Sequence, residues 1–157
     1  MATEIERKFL VINNHWRAAA DAGMDVIQGY FTTDQQSSIR VRLSGDRASL
    51  NIKSATLGVT RSEYDYPIPA ADAREMLEHL CTKPLIEKKR YHVRHGQHLW
   101  EIDVFSGENE GLVVAEIELA HSDEQFIRPS WLGVEVSDDP RYYNVCLVQH
   151  PYSHWQG

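Results

Sequence analysis

The sequence predicts an α+β protein: an eight-stranded antiparallel closed β-barrel, a tunnel with a charged lumen, and a few peripheral helices. Three observations predict it. Strand-like segments recur along the chain, and in most of them ionisable residues alternate with aliphatic or aromatic ones at period two. The ionisable positions hold almost only Lys, Arg, Asp and Glu, where an ordinary wet sheet face mixes in Thr, Ser and Gln. The apolar faces of nearly all strands need cover, which suits a sheet that curls on itself. The alternative is an open sheet with one face in water and the other under helices.

The first strand spans roughly Thr3 to Ile12. Glu4, Glu6 and Lys8 share one face, with Ile5, Phe9 and Val11 mostly on the other. Asn13 or Asn14 can cap a short helix through Trp16 and Ala18–Ala20, stopped near Gly23. A second strand runs from about Asp25 to Thr32, and its Gly29-Tyr30 marks a bulge, a tunnel rim or an ordinary strand glycine. Ser38 to Leu43 alternates strictly, turns through Ser44-Gly45-Asp46 and returns as Ala48 to Lys53, a hairpin. Val59 to Ile68 is a fifth strand. Arg61, Glu63 and Asp65 are on one face, and Tyr64 and Tyr66 on the other, as core under the helices. Ala73, Met76, Leu77 and Leu80 recur at helical spacing, giving an amphipathic helix that ends near Cys81. Leu85 to Val93 and His98 to Phe105 pair around His95-Gly96-Gln97, and Leu112 to Leu119 is the eighth strand. Ser122 with Gln125 reads as a capping box for a short helix through Phe126. Asp139-Pro140 starts a last helix that runs through Arg141 to Gln149, and Ser153 to Gly157 is a frayed tail.

Bulk properties narrow the function. A chain of 157 residues is most simply one domain, residues 1–157. Its net charge of -7 argues against broad binding to nucleic acid or anionic lipid. No apolar run approaches a membrane span, and the charged N-terminus is unlike a signal peptide. Cys81 and Cys146, in no metal spacing, read as reduced thiols in a cytoplasm. His92, His95 and His98 could suggest zinc, but they straddle a hairpin turn where polar residues are routine.

Charges taken out of water cost several kcal/mol each unless paired. Mixed signs relieve part of that cost across a bore, and ligands relieve the rest. Clustered carboxylates suit Mg²⁺ or Mn²⁺. Clustered Arg and Lys suit phosphoryl oxygens. A metal-bound polyphosphate satisfies both.

The ordered series Glu4-x-Glu6-x-Lys8, Arg40-Val41-Arg42, Asn51-Ile52-Lys53, Arg61-Ser62-Glu63, Lys88-Lys89-Arg90, Glu101-Ile102-Asp103 and Glu116-Ile117-Glu118 resembles the CYTH domain, or triphosphate tunnel metalloenzyme, family. The likeness extends to Asp139-Pro140-Arg141-Tyr142-Tyr143-Asn144 and is greatest to short bacterial single-domain members. It implies an eight-stranded tunnel that hydrolyses a triphosphate with Mg²⁺ or Mn²⁺, a metal-activated water attacking phosphorus. By that resemblance Glu4, Glu6, Glu116 and Glu118 hold metal, while Lys8, Arg40, Arg42, Lys53, Arg61, Lys88 and Arg90 grip phosphates. Glu4, Glu6 and Lys8 serve catalysis. Glu63, Glu101 and Asp103 hold a second metal, orient water or balance charge. The expected enzyme is an inorganic tripolyphosphatase, monomer or homodimer, acting on a small-molecule triphosphate. Within the same family thiamine triphosphatase, nucleoside triphosphatase and adenylate cyclase stand as alternatives, as does a non-catalytic polyphosphate-binding module.

Overall fold

A computed structural model describes residues 2–31, 37–54 and 59–155, so Thr32, the expected end of the second strand, lies outside the described residues. Nine strands alternate with two α-helices in the order β1 (Ala2–Val11), β2 (Met24–Tyr30), β3 (Ser37–Ser44), β4 (Arg47–Ser54), β5 (Thr60–Ile68), α1 (Ala70–His79), β6 (Ile86–His95), β7 (His98–Phe105), β8 (Val113–Glu118), β9 (Leu132–Glu135) and α2 (Asn144–Gln149). The sheet runs β5-β4-β3-β2-β6-β7-β8-β1, and β1 also pairs with β5, so eight strands close into a ring. Every ladder is antiparallel. β1 closes the ring by splitting its edges: Ala2 to Ile5 pair with β5, and Glu6 to Leu10 pair with β8.

The outward faces carry the apolar residues that alternation predicts. Phe9, Trp100, Ile102, Ala115 and Ile117 pack beneath Trp16, Leu119, Trp131 and Leu132. On the opposite flank Val41 and Leu43 lie under Ala73, Leu77 and Cys81. Fully burying each large side chain contributes about 1.5–3 kcal/mol. Gly29 is required here, because a Cβ would stand 2.8 Å from Cys81 and 2.9 Å from Leu85.

A third cluster lies inside the ring. Tyr30, Ile86, Phe105 and Val114 share strand parity with the polar lumen positions Gln28, Lys88, Asp103 and Glu116. They meet Leu147 and Val148 of α2, so one end of the bore is filled by apolar side chains with α2 seated in it.

The structure corrects several local expectations. β9 is an additional strand, laid along β1 at Phe9 to Val11 and tied to it by Arg7, whose guanidinium meets Glu135 at 2.6 Å. Tyr64 and Tyr66 are exposed, not core, because α1 covers β3 and β4 and leaves the outside of β5 bare. Leu80 follows the helical spacing but lies past the last turn of α1, and 63% of its surface is exposed. No helix forms at Ser122. Phe126 is drawn instead into edge-to-face contact with Phe9 and Trp100, and Pro129 soon follows. The last helix is interrupted. A single 3₁₀ turn covers Pro140–Tyr142, with Asp139 accepting from the Arg141 amide. Tyr143 is then extended (ψ 134°), its hydroxyl donating to the Ser137 carbonyl, before α2 begins. The first helix is likewise a 3₁₀ stretch, His15–Ala19. The tail is docked through Trp155, whose ring packs on Tyr142 and Tyr152; Gln156 and Gly157 lie outside the described residues. None of the described helices is long and apolar enough to cross a membrane.

Candidate active site

Alternation places the charges inside the ring. In antiparallel ladders directly opposed residues share a face, and Glu6 opposes Glu118, Lys8 opposes Glu116, Glu4 opposes Arg61, and Lys53 opposes Glu63. They enclose a cavity of about 610 Å³ lined, among the described residues, by seven basic and seven acidic side chains. Thirteen of the fourteen charged residues expected from the sequence line it: Glu4, Glu6, Lys8, Arg40, Arg42, Lys53, Arg61, Glu63, Lys88, Arg90, Glu101, Glu116 and Glu118. Glu118 stands at the exposed rim. Asp103 is the exception: it is fully buried behind the wall.

Most of the cations are matched by carboxylates. Lys53 Nζ lies 3.0 Å from Glu4 and 3.5 Å from Glu63. Arg90 makes a two-pronged contact with Asp103, donating from Nε at 2.7 Å and from Nη2 at 2.8 Å, and reaches Glu101 at 3.2 Å and Glu116 at 3.6 Å. Lys88 Nζ sits 2.8 Å from the same Asp103, with both side chains almost wholly enclosed. Burial opposes charge on Asp103, but Arg90 and Lys88 outweigh it and hold its carboxyl at about 2. Lys8 lies 4.0 Å from Glu116 and donates to the Tyr142 carbonyl at 3.1 Å.

The balance leaves two features that point to ligands. The first is carboxylates facing each other. Glu6 and Glu116 lie on adjacent strands of the β1–β8 wall, and Glu4 and Glu63 converge on Lys53. Burial and the Glu116 charge push the Glu6 carboxyl well above its ordinary range. Glu116 is also buried, yet Lys8 and Arg90 hold it well below. Each carboxyl of the pair thus opposes ionisation of the other. The second feature is donors without acceptors: among the described residues the buried Nε atoms of Arg40 and Arg61 have no hydrogen-bond partner.

This donor set fits a hard divalent cation. Among the described residues no three carboxyl, imidazole or thiol groups already surround a common point. The carboxyls stand in twos. Mg²⁺ is held by one or two carboxylates and completes its shell with water and phosphate oxygens, so twos suffice. The histidines do not compete: His92 meets Asp21 and Glu101, and His98 meets Glu124.

Sequence patterning missed the neutral lining. Tyr30, Ser38, Asn51, Tyr143 and Asn144 also face the cavity, and Gln28 is buried in its wall. Parity was the available signal: Asn51 shares a face with Lys53, and Ser38 with Arg40. Asp65, seen beside Glu63, also lines the cavity. Tyr143, over whose ring the Arg61 guanidinium sits at 5.1 Å, precedes α2, and Asn144 is its first residue.

A closed barrel holding opposed carboxylates and buried cations around a cavity defines a protein that takes a compact polyanion, with a divalent cation, into its own interior. The chain belongs to the CYTH domain family, whose model matches residues 2–143. It is 46% identical over 156 residues to an inorganic triphosphatase of Acetivibrio thermocellus, covering 99% of each chain. A second inorganic triphosphatase, from Nitrosomonas europaea, is 37% identical over 154 residues, covering 93% of this chain and 97% of the relative. A crystal structure of an inorganic triphosphatase superposes with a TM-score of 0.67 at 35% identity, covering 94% and 95% of the two chains.

Proposed function

We propose that the protein hydrolyses inorganic tripolyphosphate to pyrophosphate and phosphate inside its barrel, using Mg²⁺ or Mn²⁺. The observation that carries this is the cavity lining among the described residues: seven cations, two with buried guanidinium N–H groups lacking acceptors, set against opposed carboxylates. The names of the two relatives support the choice of substrate. The free thiols of Cys81 and Cys146 suit a reducing cytoplasm.

Glu4, Glu6, Glu116 and Glu118 would hold the cation. When bound, it supplies charge neutralisation and a water activated for attack on phosphorus. Arg40 and Arg61 offer phosphate oxygens Nε donors that no other described residue satisfies. Arg42, Lys8, Lys53 and Lys88 add charge around the equatorial oxygens, where it builds during transfer. Arg90 is fixed by its fork on Asp103 and adds positive charge to the wall from a set position. Glu63 and Glu101 hold Lys53 and Arg90 in place and border the water-accessible part of the cavity. Asp103 balances the charge of Lys88 and Arg90 from behind.

Released phosphate is the discriminating measurement. Tripolyphosphate should be turned over faster than thiamine triphosphate or ATP; equal or better turnover of either would reject the substrate. Binding without turnover in Mg²⁺ or Mn²⁺ would reject the enzyme and leave a polyphosphate-binding module.

Binding should also depend on pH through Lys88. Burial pushes its ammonium from the usual 10.5 down to about 7, assisted by Arg90 and Arg42 and resisted by Asp103. In the empty protein the charged form is therefore penalised below pH 7. That penalty eases as pH rises from about 7 toward 10.5, so folding stability gains over this window. A bound polyanion restores the proton, so affinity should fall as pH rises above 7. Calorimetry at pH 6.5 and 8.5 in buffers of different ionisation enthalpy should show proton uptake on binding. Lys88→Met should lose the part that exceeds the ligand's own titration, and an unchanged uptake in that variant would remove Lys88 from the account.

A further inference from the structure

One cation of the lumen, Arg42, is oriented by an amide and not by a carboxylate. Gln28 lies opposite Arg42 on the β2–β3 ladder and is fully buried. Its Oε1 accepts from Arg42 Nε at 3.0 Å, and its Nε2 donates to Asn144 Oδ1 at 3.1 Å. That Asn144 oxygen also accepts from Lys88 Nζ at 3.2 Å. One amide pair thus joins β2, β3, β6 and the first residue of α2. A buried amide is costly unless bonded, and here each amide oxygen has a cationic donor.

The chemistry of the acceptor matters. A carboxylate that orients a cation also cancels its charge, as Glu4 does for Lys53 and Asp103 does for both Arg90 and Lys88. An amide oxygen orients without cancelling. Among the described residues no carboxylate oxygen lies within 4.0 Å of Arg42. Arg42 instead faces Arg40 and Arg90, and burial with these neighbours lowers it to about 10. Such a charge is costly to the empty protein, and a polyanion removes the cost.

We propose that Gln28, held in turn by Asn144, is a positioning residue that aims Arg42 through a neutral amide oxygen, so that this cation is pre-oriented yet retains charge for phosphate; Lys88, which the same Asn144 oxygen also orients, is matched by Asp103. This rests on the inorganic polyphosphate reading of the cavity for its ligand class. It makes α2 part of the binding machinery as well as the apolar filling of one barrel end.

The test uses Gln28→Glu and Asn144→Asp, which keep shape and acceptor but add a negative charge, beside Gln28→Met, which removes the acceptor. Each is compared with wild type for tripolyphosphate affinity by calorimetry without divalent cation, for KM and kcat with it, and for thermal midpoint. Gln28→Glu and Asn144→Asp should each weaken binding and raise KM by roughly 10- to 100-fold, the scale of a charged hydrogen bond, with an unchanged or higher midpoint. Gln28→Met should weaken binding through lost orientation. Wild-type affinity in both acidic variants, with midpoint loss confined to Gln28→Met, would overturn the proposal and leave a structural role. The substrate reading is tested separately: wild type that binds tripolyphosphate without hydrolysing it loses the proposed activity, while the differences in affinity still decide the roles of Gln28 and Asn144.

Discussion

Glu6→Gln is expected to remove almost all turnover of tripolyphosphate and, at the same time, to raise the thermal midpoint. Both effects come from one charge. Ionised Glu6 is opposed in the empty protein by burial and by Glu116, so the native state carries a cost that the isosteric amide does not. That charge is also what a divalent cation needs between Glu6 and Glu116. Losing one such electrostatic contribution costs about 3–4 kcal/mol in the transition state, or roughly 10²- to 10³-fold in rate. Glu116→Gln should lose activity too but lower the midpoint, because Glu116 is the carboxylate partner of Lys8 and Arg90. Paired rate and thermal-melt measurements check this contrast. Full activity in Glu6→Gln would remove Glu6 from the cation site, and a lowered midpoint would make it a structural partner.

Asp103→Ala should instead damage folding. This carboxylate has no exposed surface and neutralises two buried cations, Arg90 through two hydrogen bonds and Lys88 through a 2.8 Å contact. Its removal strands both, and breaking a buried pair costs about 3–5 kcal/mol. That is a large part of the 5–15 kcal/mol typical of a whole domain, roughly speaking. Urea unfolding of the variant gives the number directly. A loss below about 1 kcal/mol would mean that Glu101 and Glu116 take over the two cations.

The contrast between Glu6 and Asp103 shows where sequence pattern ends. Both were legible as acidic residues on the inward face of a strand, because parity fixes which face a side chain takes. Parity does not say how far along the bore a residue sits or what stands in front of it. Asp103 lies deep, beside Val114 on β8 and behind Lys88 and Arg90, and only packing reveals that. Gln28 was invisible for a related reason. A neutral side chain between Val26 and Tyr30 carries no charge signal, and its role exists only where β2, β3, β6 and α2 converge. The exposed Tyr64 and Tyr66 mark the same limit: an apolar face calls for cover, but which helix reaches it depends on connection lengths and on the closed ring.

By itself, then, the sequence determined the strands, their two faces and the charge content of the inner one, since period-two alternation is local and survives any packing. Tertiary structure decided closure through the split pairing of β1, the filling of one barrel end by α2, and the partners of each buried charge. Those depend on distances between segments far apart in the chain, and in a low-dielectric interior such distances decide whether a charge is matched or left for a ligand.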